Sequence, residues 1–96
     1  MQLRLITRHA CHLCDEMAAV VAAVAPRFGA NVEIRDVDAD PELLARYSED
    51  VPVLLIDGRK AFKYRVTSVA LERRLRSERR RETMRRWRER LLGRPT

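Results

Sequence analysis

The first third of the chain carries its apolar residues at two different spacings. The closely spaced apolar residues Leu3, Leu5 and Ile6 are typical of a short strand. Apolar residues then recur every three or four positions, which predicts a helix; they are Leu13, Met17, Val20, Val21, Val24 and Phe28. Pro26 and Gly29 end this helix, and residues 31–37 alternate as a strand does. Residues 2–37 therefore predict a strand–helix–strand unit whose two strands are parallel.

The middle of the chain predicts a short helix followed by a hairpin. Asp40 and Pro41 are typical of the N-cap and the first position of a helix. The apolar run of residues 51–56 is typical of a strand that is buried on both faces. Asp57-Gly58 then forms a dipeptide that strongly favours a two-residue hairpin turn.

The last strand and the last helix are predicted from alternation and from the absence of helix breakers. One face of the strand carries Lys60, Phe62 and Tyr64, and the other carries Ala61, Lys63 and Arg65. Thr67 is a suitable cap for a final helix, whose core positions are Val69, Ala70, Leu71 and Leu75. Because no glycine or proline interrupts residues 67–92, we expect one helix that extends beyond the domain and ends at Gly93 and Pro95.

The length of 96 residues allows one domain, which we place at residues 1–76, with a basic helical extension at residues 77–96. The charge is divided in a similar way. Residues 1–71 carry nine Lys or Arg and ten Asp or Glu, giving −1, whereas residues 72–96 carry eleven Arg and four Glu, giving +7. The basic character therefore belongs to the C-terminal segment and not to the domain.

The composition excludes several classes of protein. Three glycines and 46% hydrophobic residues exclude collagen and a disordered tail, and two cysteines are too few for a disulfide-rich scaffold. The N-terminus resembles no signal peptide, and no stretch approaches the ~20 apolar residues that span a bilayer. We therefore expect a cytoplasmic protein with no membrane partner. Thiols are kept reduced in that compartment, so a close cysteine pair there is more often catalytic or metal-binding than structural.

Cys11 and Cys14 lie where the first strand meets the start of a helix. Free N–H groups and the positive end of the helix dipole at this position stabilise a thiolate, the nucleophilic form of cysteine. A separation of three residues on a helical turn brings the two sulfurs within bonding reach. We assign nucleophilic attack to Cys11, the more exposed thiol, and resolution of the mixed disulfide to Cys14. Arg8 adds positive charge nearby, whereas Asp15 and Glu16 oppose the thiolate.

Two other interpretations of the cysteine pair stay open from the residues alone. A zinc site would use four ligands, namely His9, Cys11, His12 and Cys14. Four ligands within six residues at a helix start make a poor tetrahedron, and the chain has no second cluster of cysteine and histidine, so we predict no metal. The second alternative is a pair of inert cysteines in a loop.

Val51 and Pro52 stand immediately before the apolar run of the third strand. Proline lacks the N–H that a central strand needs, but a strand accepts it as its first residue. A cis bond here would make a tight bend whose backbone N–H and C=O can meet an extended substrate. The alternative is an ordinary trans proline, the form of most X–Pro bonds.

Taken together, the residues resemble the thioredoxin-like superfamily, and specifically small glutaredoxin-like proteins, over about residues 1–76. The resemblance rests on the first strand, on the segment 7–14, on the helix and strand that follow, and on Asp50-Val51-Pro52-Val53 with the closing hairpin and helix. It implies an α/β fold with a four-stranded mixed sheet flanked by three helices. It also implies that Cys11 is the nucleophile, that Cys14 resolves and that Pro52 is cis. The residues expected to contact substrate are Arg8, His12, Val51 and Pro52.

The chain departs from the glutaredoxin pattern in three places. His12-Leu13 replaces Pro-Tyr between the cysteines, and Asp50 replaces the usual threonine before Val-Pro. The Gly-Gly turn and the acid that hold glutathione in that family are missing near Phe62-Lys63. We therefore expect no bound cofactor, with glutathione as a weak co-substrate.

The sequence thus predicts a thiol–disulfide oxidoreductase that acts on disulfide-containing proteins or small thiols. The alternative is a binding module that uses the fold as a scaffold and its arginine-rich helix to recruit nucleic acid or an acidic partner.

The final helix also suggests a homodimer through residues 80–92. Its apolar stripe is formed by Met84, Trp87 and Leu91, and a symmetric contact would bring two copies of this stripe together. Such a contact requires the arginines of the two chains to be neutralised by Glu78, Glu82 and Glu89. For this helix the sequence favours the homodimer over nucleic acid.

Overall fold

Four strands and three α-helices alternate along the chain in a computed structural model, which describes residues 1–93. In chain order they are β1 (Gln2–Thr7), α1 (His12–Val24), β2 (Asn31–Asp36), α2 (Pro41–Tyr47), β3 (Val53–Ile56), β4 (Arg59–Lys63) and α3 (Ser68–Leu92). Single 3₁₀ turns follow α1 and β2. Every predicted element is present, and the order strand–helix–strand, helix, hairpin, helix is confirmed.

The four strands form one mixed sheet in the order β2-β1-β3-β4. β1 and β2 are parallel, with Leu3 opposite Val32, as the strand–helix–strand unit predicts. β3 runs antiparallel to β1, with Leu5 opposite Leu54, and β4 runs antiparallel to β3. This is the sheet that the resemblance to glutaredoxin-like proteins implies, so the predicted fold class is confirmed.

The core occupies both faces of the two central strands. On one face, β1 and β3 pack against α1 and α3; the largest buried residues there are Leu3, Leu5, Met17, Leu54, Ile56, Leu71 and Leu75. On the other face, a smaller cluster of Ile6, Val37, Val53 and Leu55 is covered by Leu43 and Tyr47 of α2. All four residues of β3 are buried, which explains why its sequence is a continuous apolar run.

The predicted caps and turns set where these elements begin and end. Asp40 caps α2, because its Oδ1 accepts the backbone N–H groups of Glu42 at 2.9 Å and Leu43 at 3.4 Å. The hydroxyl of Thr67 caps α3 by accepting the N–H of Ala70 at 3.0 Å. Gly29, at φ 62°, ends the turn that follows α1.

The hairpin between β3 and β4 departs from the predicted alternation. The turn residues Asp57 and Gly58 both have positive φ, at 48° and 84°, as a two-residue hairpin turn requires. Leu54 then pairs with Phe62 whereas Leu55 pairs with Lys60, so the register shifts by one residue at Ala61. Leu54 and Leu55 point to opposite faces of the sheet, so the bulge puts their partners Phe62 and Lys60 on opposite faces as well. The prediction that Lys60, Phe62 and Tyr64 share one face of a regular strand was therefore wrong.

The final helix packs on the domain through fewer apolar residues than predicted. Leu71 and Leu75 are fully buried, but the side chain of Val69 is 59% exposed. Residues two positions apart in a helix are separated by about 200° around its axis. Val69 therefore faces away from the core side that Leu71 occupies. The prediction of Val69 as a core residue was wrong for this reason.

Glu78 continues the buried side of α3 with a charged group. It is only 8% exposed, and its carboxylate meets Arg74 at 3.0 Å and Arg59 at 3.6 Å. A buried charge requires such partners. Contact with the domain therefore extends past the apolar pattern, which ends at Leu75.

The helix continues without interruption from Ser68 to Leu92, with Gly93 as its C-cap. The predicted boundary between residues 76 and 77 falls inside it, and the predicted stop at Pro95 lies outside the described residues. Over residues 1–93, no helix is both long enough and apolar enough to span a membrane.

Candidate active site

The two cysteines are positioned by the loop that joins β1 to α1. β1 ends at Thr7, and Ala10 adopts a left-handed conformation with φ 53°. Cys11 follows with extended backbone angles and is the N-cap of α1. The strand and the helix thus place Cys11 at the helix N-terminus, where the sequence predicted a stabilised thiolate.

Cys11 and Cys14 are joined in a disulfide across the first turn of α1, with their Cα atoms 5.2 Å apart. The backbone N–H of Cys14 points at the sulfur of Cys11, at an N···Sγ distance of 3.2 Å. A sulfur that accepts an N–H at a helix N-terminus is stabilised as a thiolate when the disulfide is reduced. The loop thus holds an electrostatic environment suited to a nucleophilic cysteine.

The two sulfurs differ in their access to solvent. Cys11 is half-buried, whereas Cys14 lies inside the helix turn and is 3% exposed. Another molecule can therefore approach Cys11 but not Cys14. The roles that the sequence suggested, attack by Cys11 and resolution by Cys14, stay predictions.

His12 lies on the exposed side of the first helical turn. Its side chain is 86% exposed, and its Nε2 is 3.3 Å from Oε1 of Glu16 one turn later. His9 is exposed in the preceding loop. Within residues 1–93, no three His, Cys, Asp or Glu side chains are grouped as metal ligands would be.

Val51 and Pro52 lie at the same end of the sheet as the cysteine loop. Ile6 pairs with Val53 in the antiparallel register, so the residues before Val53 stand beside the end of β1. The Val51–Pro52 bond is cis, with Pro52 buried and Val51 half-buried. Over the part of the chain that the structure describes, the N–H and C=O of Val51 make no backbone hydrogen bond. The contact of Val51 and Pro52 with substrate stays a prediction.

The carboxylate of Asp50 is balanced by groups from β4 and the residue after it. Lys60 and Lys63 lie 3.8 Å and 3.9 Å from its oxygens, and the hydroxyl of Tyr64 donates to it at 3.4 Å. The negative charge of Asp50 is thus offset by two ammonium groups.

Arg8 makes its hydrogen bonds with Asp38, in the turn after β2, and with Ser48, which follows α2. Its guanidinium donates to both oxygens of Asp38, at 3.0 Å and 3.2 Å, and to the carbonyl and hydroxyl oxygens of Ser48, at 2.9 Å and 3.2 Å. The hydrogen bond that Arg8 donates to Asp38, opposed in part by desolvation, raises the pKa of Arg8, which stays charged. Arg8 therefore braces the cysteine loop against the end of α2, and its contact with substrate stays a prediction.

Tyr64 is a site residue that sequence reasoning missed. Its N–H donates to the carbonyl of Pro52 at 2.8 Å, its hydroxyl reaches the carbonyl of Glu49 at 3.1 Å, and its φ is 67°. It also lines a cleft of about 660 Å³ that reaches Glu16 and Met17 on α1. The sequence offered no signal for this role, because Tyr64 makes these contacts with residues that are distant in sequence.

The chain matches a known domain family over most of its length. Residues 2–76 match the family described as glutaredoxin-like domain (DUF836). Uncharacterized proteins of Mycobacterium tuberculosis and Mycobacterium bovis are each 33% identical over 64 residues, which cover 62% of this chain and 66% of theirs. The chain thus spans about two thirds of the length of these curated relatives.

Solved structures resemble the fold. An X-ray structure of a structural genomics target protein from X. campestris has 32% identity and a TM-score of 0.65, covering 78% of this chain and 96% of that chain. A solution structure of a Nitrosomonas europaea protein has 26% identity and a TM-score of 0.62, covering 73% and 85%. Thioredoxin 1 from Thermosipho africanus has 17% identity and a TM-score of 0.58, covering 90% of this chain and 99% of that chain; at this identity the likeness shows the fold alone.

The matched residues 2–76 include both cysteines and the Val51–Pro52 bend, and they contain the whole sheet, α1, α2 and the first part of α3. The chain therefore belongs to the glutaredoxin-like domain (DUF836) family.

Proposed function

We propose that the protein is a thiol–disulfide oxidoreductase whose working couple is the Cys11–Cys14 pair. The observation that carries this proposal is the geometry of Cys11. It caps α1, its sulfur accepts the N–H of Cys14, and it is bonded to Cys14, which is nearly inaccessible. A disulfide placed only for stability has no need of an accessible sulfur at a helix N-terminus.

The first step starts from the reduced dithiol. The thiolate of Cys11 attacks one sulfur of a substrate disulfide, a new S–S bond joins Cys11 to that sulfur, and the old S–S bond breaks. The second substrate sulfur leaves as a thiolate and takes a proton from water. The N–H of Cys14 stabilises the attacking charge at Cys11 before this step.

The second step releases the substrate. Cys14 loses its proton and attacks Sγ of Cys11, forming the intramolecular disulfide while the remaining substrate sulfur leaves as a thiol. The Cα separation of 5.2 Å allows this ring closure with the backbone in place. One turnover thus reduces one substrate disulfide by two electrons and oxidises the Cys11–Cys14 dithiol.

The Val51–Pro52 bend is the proposed docking edge for the substrate backbone. The free N–H and C=O of Val51 suit an extended peptide that lies beside Cys11. This feature supports a polypeptide disulfide as substrate, with His12 exposed at the rim of the site.

A thiol must return the disulfide to the dithiol after each turnover. Two equivalents of a small thiol, or one protein dithiol, supply the two electrons. We propose that glutathione is a weak co-substrate with a Kd of about 1 mM or weaker, because the Gly-Gly turn is missing and Lys60 and Lys63 are already engaged by Asp50. A cytoplasmic location, where such thiols are abundant, fits this cycle.

A redox equilibrium tests the proposed function. Fully oxidised and fully reduced protein are incubated in the same series of reduced and oxidised glutathione mixtures, and the dithiol fraction is measured after acid quenching. We expect both starting states to reach the same curve, with a midpoint potential above about −300 mV, the value below which structural disulfides lie. A pair that stays oxidised throughout this range would be structural, and the proposal would fail.

A further inference from the structure

The last three to four turns of α3 extend beyond the domain. We name residues 79–92 the overhang; it carries seven arginines and two glutamates, and all of its residues except the half-buried Glu82 are exposed. Met84, Trp87 and Leu91 are 61%, 58% and 66% exposed. Helices in proteins derive most of their stability from packing an apolar face, and isolated short helices are only marginally stable in water. The overhang therefore has both charge and apolar surface available to a partner.

Helix geometry separates the acidic side of the overhang from its apolar side. With about 100° per residue, Glu78, Glu82 and Glu89 all lie within about 20° of the direction of Leu71, which is buried against the domain. The acids therefore continue the side of α3 that faces the domain.

The apolar stripe lies on the opposite side of the same helix. Met84 and Leu91 are about 180° and about 160° from Leu75 around the axis, and Trp87 is about 160° from Leu71. Both leucines are fully buried against the domain, so the stripe points away from it. Only another molecule can cover these side chains.

Arg80, Arg81, Arg88 and Arg90 lie on or beside the stripe, whereas Arg85 lies about 40° from Leu71, on the acidic side. Among residues 1–93, six arginines of the overhang make no salt bridge; they are Arg79, Arg80, Arg81, Arg85, Arg88 and Arg90. Arg86 pairs with Glu82 at 3.0 Å, and Arg79 stacks on the ring of Phe28 at 4.7 Å. The free guanidinium groups offer charge-assisted hydrogen bonds to an anionic partner.

One shallow groove joins the aromatic ring to the guanidinium groups. Thr83, Arg86, Trp87 and Arg90 line about 170 Å³ on the surface of the helix. Proteins that bind single-stranded nucleic acid combine such cations, which contact phosphates, with an aromatic ring on which a base stacks. The groove holds both groups on adjacent turns.

We propose that the overhang binds single-stranded nucleic acid, with its arginines on successive phosphates and a base stacked on Trp87. Charge complementarity favours this occupant over a second copy of the chain. Pairing two stripes would bring two sets of arginines together, while Glu82 and Glu89 stay on the other side of each helix. The stripe also spans an arc of only about 60°, narrower than the ~100° apolar face of helices that bury one side, which disfavours a lipid surface.

The test uses the full-length protein and two fluorescein-labelled 20-mers, oligothymidylate and oligouridylate. We expect binding by fluorescence anisotropy, with quenching of Trp87, the only tryptophan of the chain. If Arg80, Arg81, Arg88 and Arg90 each contact a phosphate, affinity falls about fifty-fold between 50 and 200 mM salt. Tighter binding of oligothymidylate would identify the partner as DNA, and tighter binding of oligouridylate would identify it as RNA.

Three variants locate the binding surface. R88Q/R90Q should reduce the salt effect to about seven-fold, and W87A should weaken binding about ten-fold while W87F retains most of it. The charge-matched control R35Q/R46Q, on β2 and α2, should bind as the unchanged protein does. C11S should also bind normally, which separates this result from the thiol chemistry.

Four outcomes would overturn the proposal. The first two are the absence of binding at 50 mM salt and an equal loss of affinity in the control R35Q/R46Q. The third is a blue shift of Trp87 fluorescence with phosphatidylglycerol vesicles but no response to either oligomer. The fourth is a dimer in sedimentation that dissociates when Trp87 is replaced by alanine. Circular dichroism of each variant confirms that α3 is intact.

Discussion

Replacing Cys11 with serine is expected to abolish disulfide reduction, whereas replacing Cys14 should stop turnover only after the first step. C11S removes the sulfur that a substrate can reach, so no mixed disulfide forms. C14S keeps the nucleophile at the helix N-terminus but removes the thiol that releases the substrate. We expect the rate with C11S to fall to the uncatalysed level, a loss on the order of a thousand-fold or more for removal of a nucleophile.

The measurement combines turnover with mass spectrometry. Each reduced variant is mixed with a peptide that contains one disulfide; C14S should gain the mass of half the peptide, and C11S should gain none. A reductant added afterwards restores free C14S and serves as the control for a disulfide linkage. Equal residual turnover in the two variants would remove the case for a two-thiol mechanism.

Replacing Leu54 with alanine is expected to cause a large loss of stability. Leu54 is fully buried at the centre of β3, opposite Leu5 on one side and Phe62 on the other. Truncation of a buried leucine to alanine costs about 2–5 kcal/mol, because transfer energy is lost and a cavity remains. The free energy of unfolding of a domain is about 5–15 kcal/mol in total, so L54A should lose a substantial part of it.

The matched control for Leu54 is Val69, which the sequence pattern also assigned to the core. Val69 is 59% exposed, so V69A should change the free energy of unfolding by less than about 0.5 kcal/mol. Urea denaturation of both oxidised variants, with unchanged m-values, measures the two effects. A comparable loss in both variants would contradict the packing of α3 and the sheet described here.

The sequence was sufficient where the physical signal is local. The N-cap Asp40 and the turn Asp57-Gly58 act on neighbouring backbone groups, and both do in the structure what the pattern predicted. The continuous apolar run of β3 likewise reports burial on both faces. These elements predicted the strand–helix–strand unit and the hairpin, whereas the four-stranded mixed sheet was implied by the resemblance to glutaredoxin-like proteins.

Features that depend on distant residues were not predictable in the same way. Arg8 was expected to act near the thiolate, but its hydrogen bonds go to Asp38 and Ser48, which are 30 and 40 positions away in sequence. The ion pairs of Asp50 with Lys60 and Lys63 depend on the bulge at Ala61, and no glycine, proline or other turn residue in the sequence predicts that bulge. Such contacts arise from how the elements pack, so a pattern along the chain does not contain them.

The edge strand β2 shows a related limit. Its alternation predicted a strand, and the strand is present, but Val32 and Ile34 are 42% and 59% exposed. Both stand next to buried partners on β1, Leu3 and Leu5. Alternation identifies the apolar face of a strand, whereas burial of that face also requires a helix that reaches the edge of the sheet.

The claim that Cys11 is the activated nucleophile is tested by alkylation of the reduced protein across a pH series. Iodoacetamide is added in limiting amounts, and the labelled cysteine is identified by peptide mass spectrometry. The N–H of Cys14 and the helix N-terminus stabilise the thiolate of Cys11, so Cys11 should be labelled first, with a rate midpoint below the pKa of about 8.5 of an unperturbed thiol. Earlier labelling of Cys14, or a midpoint at or above that value, would contradict the account.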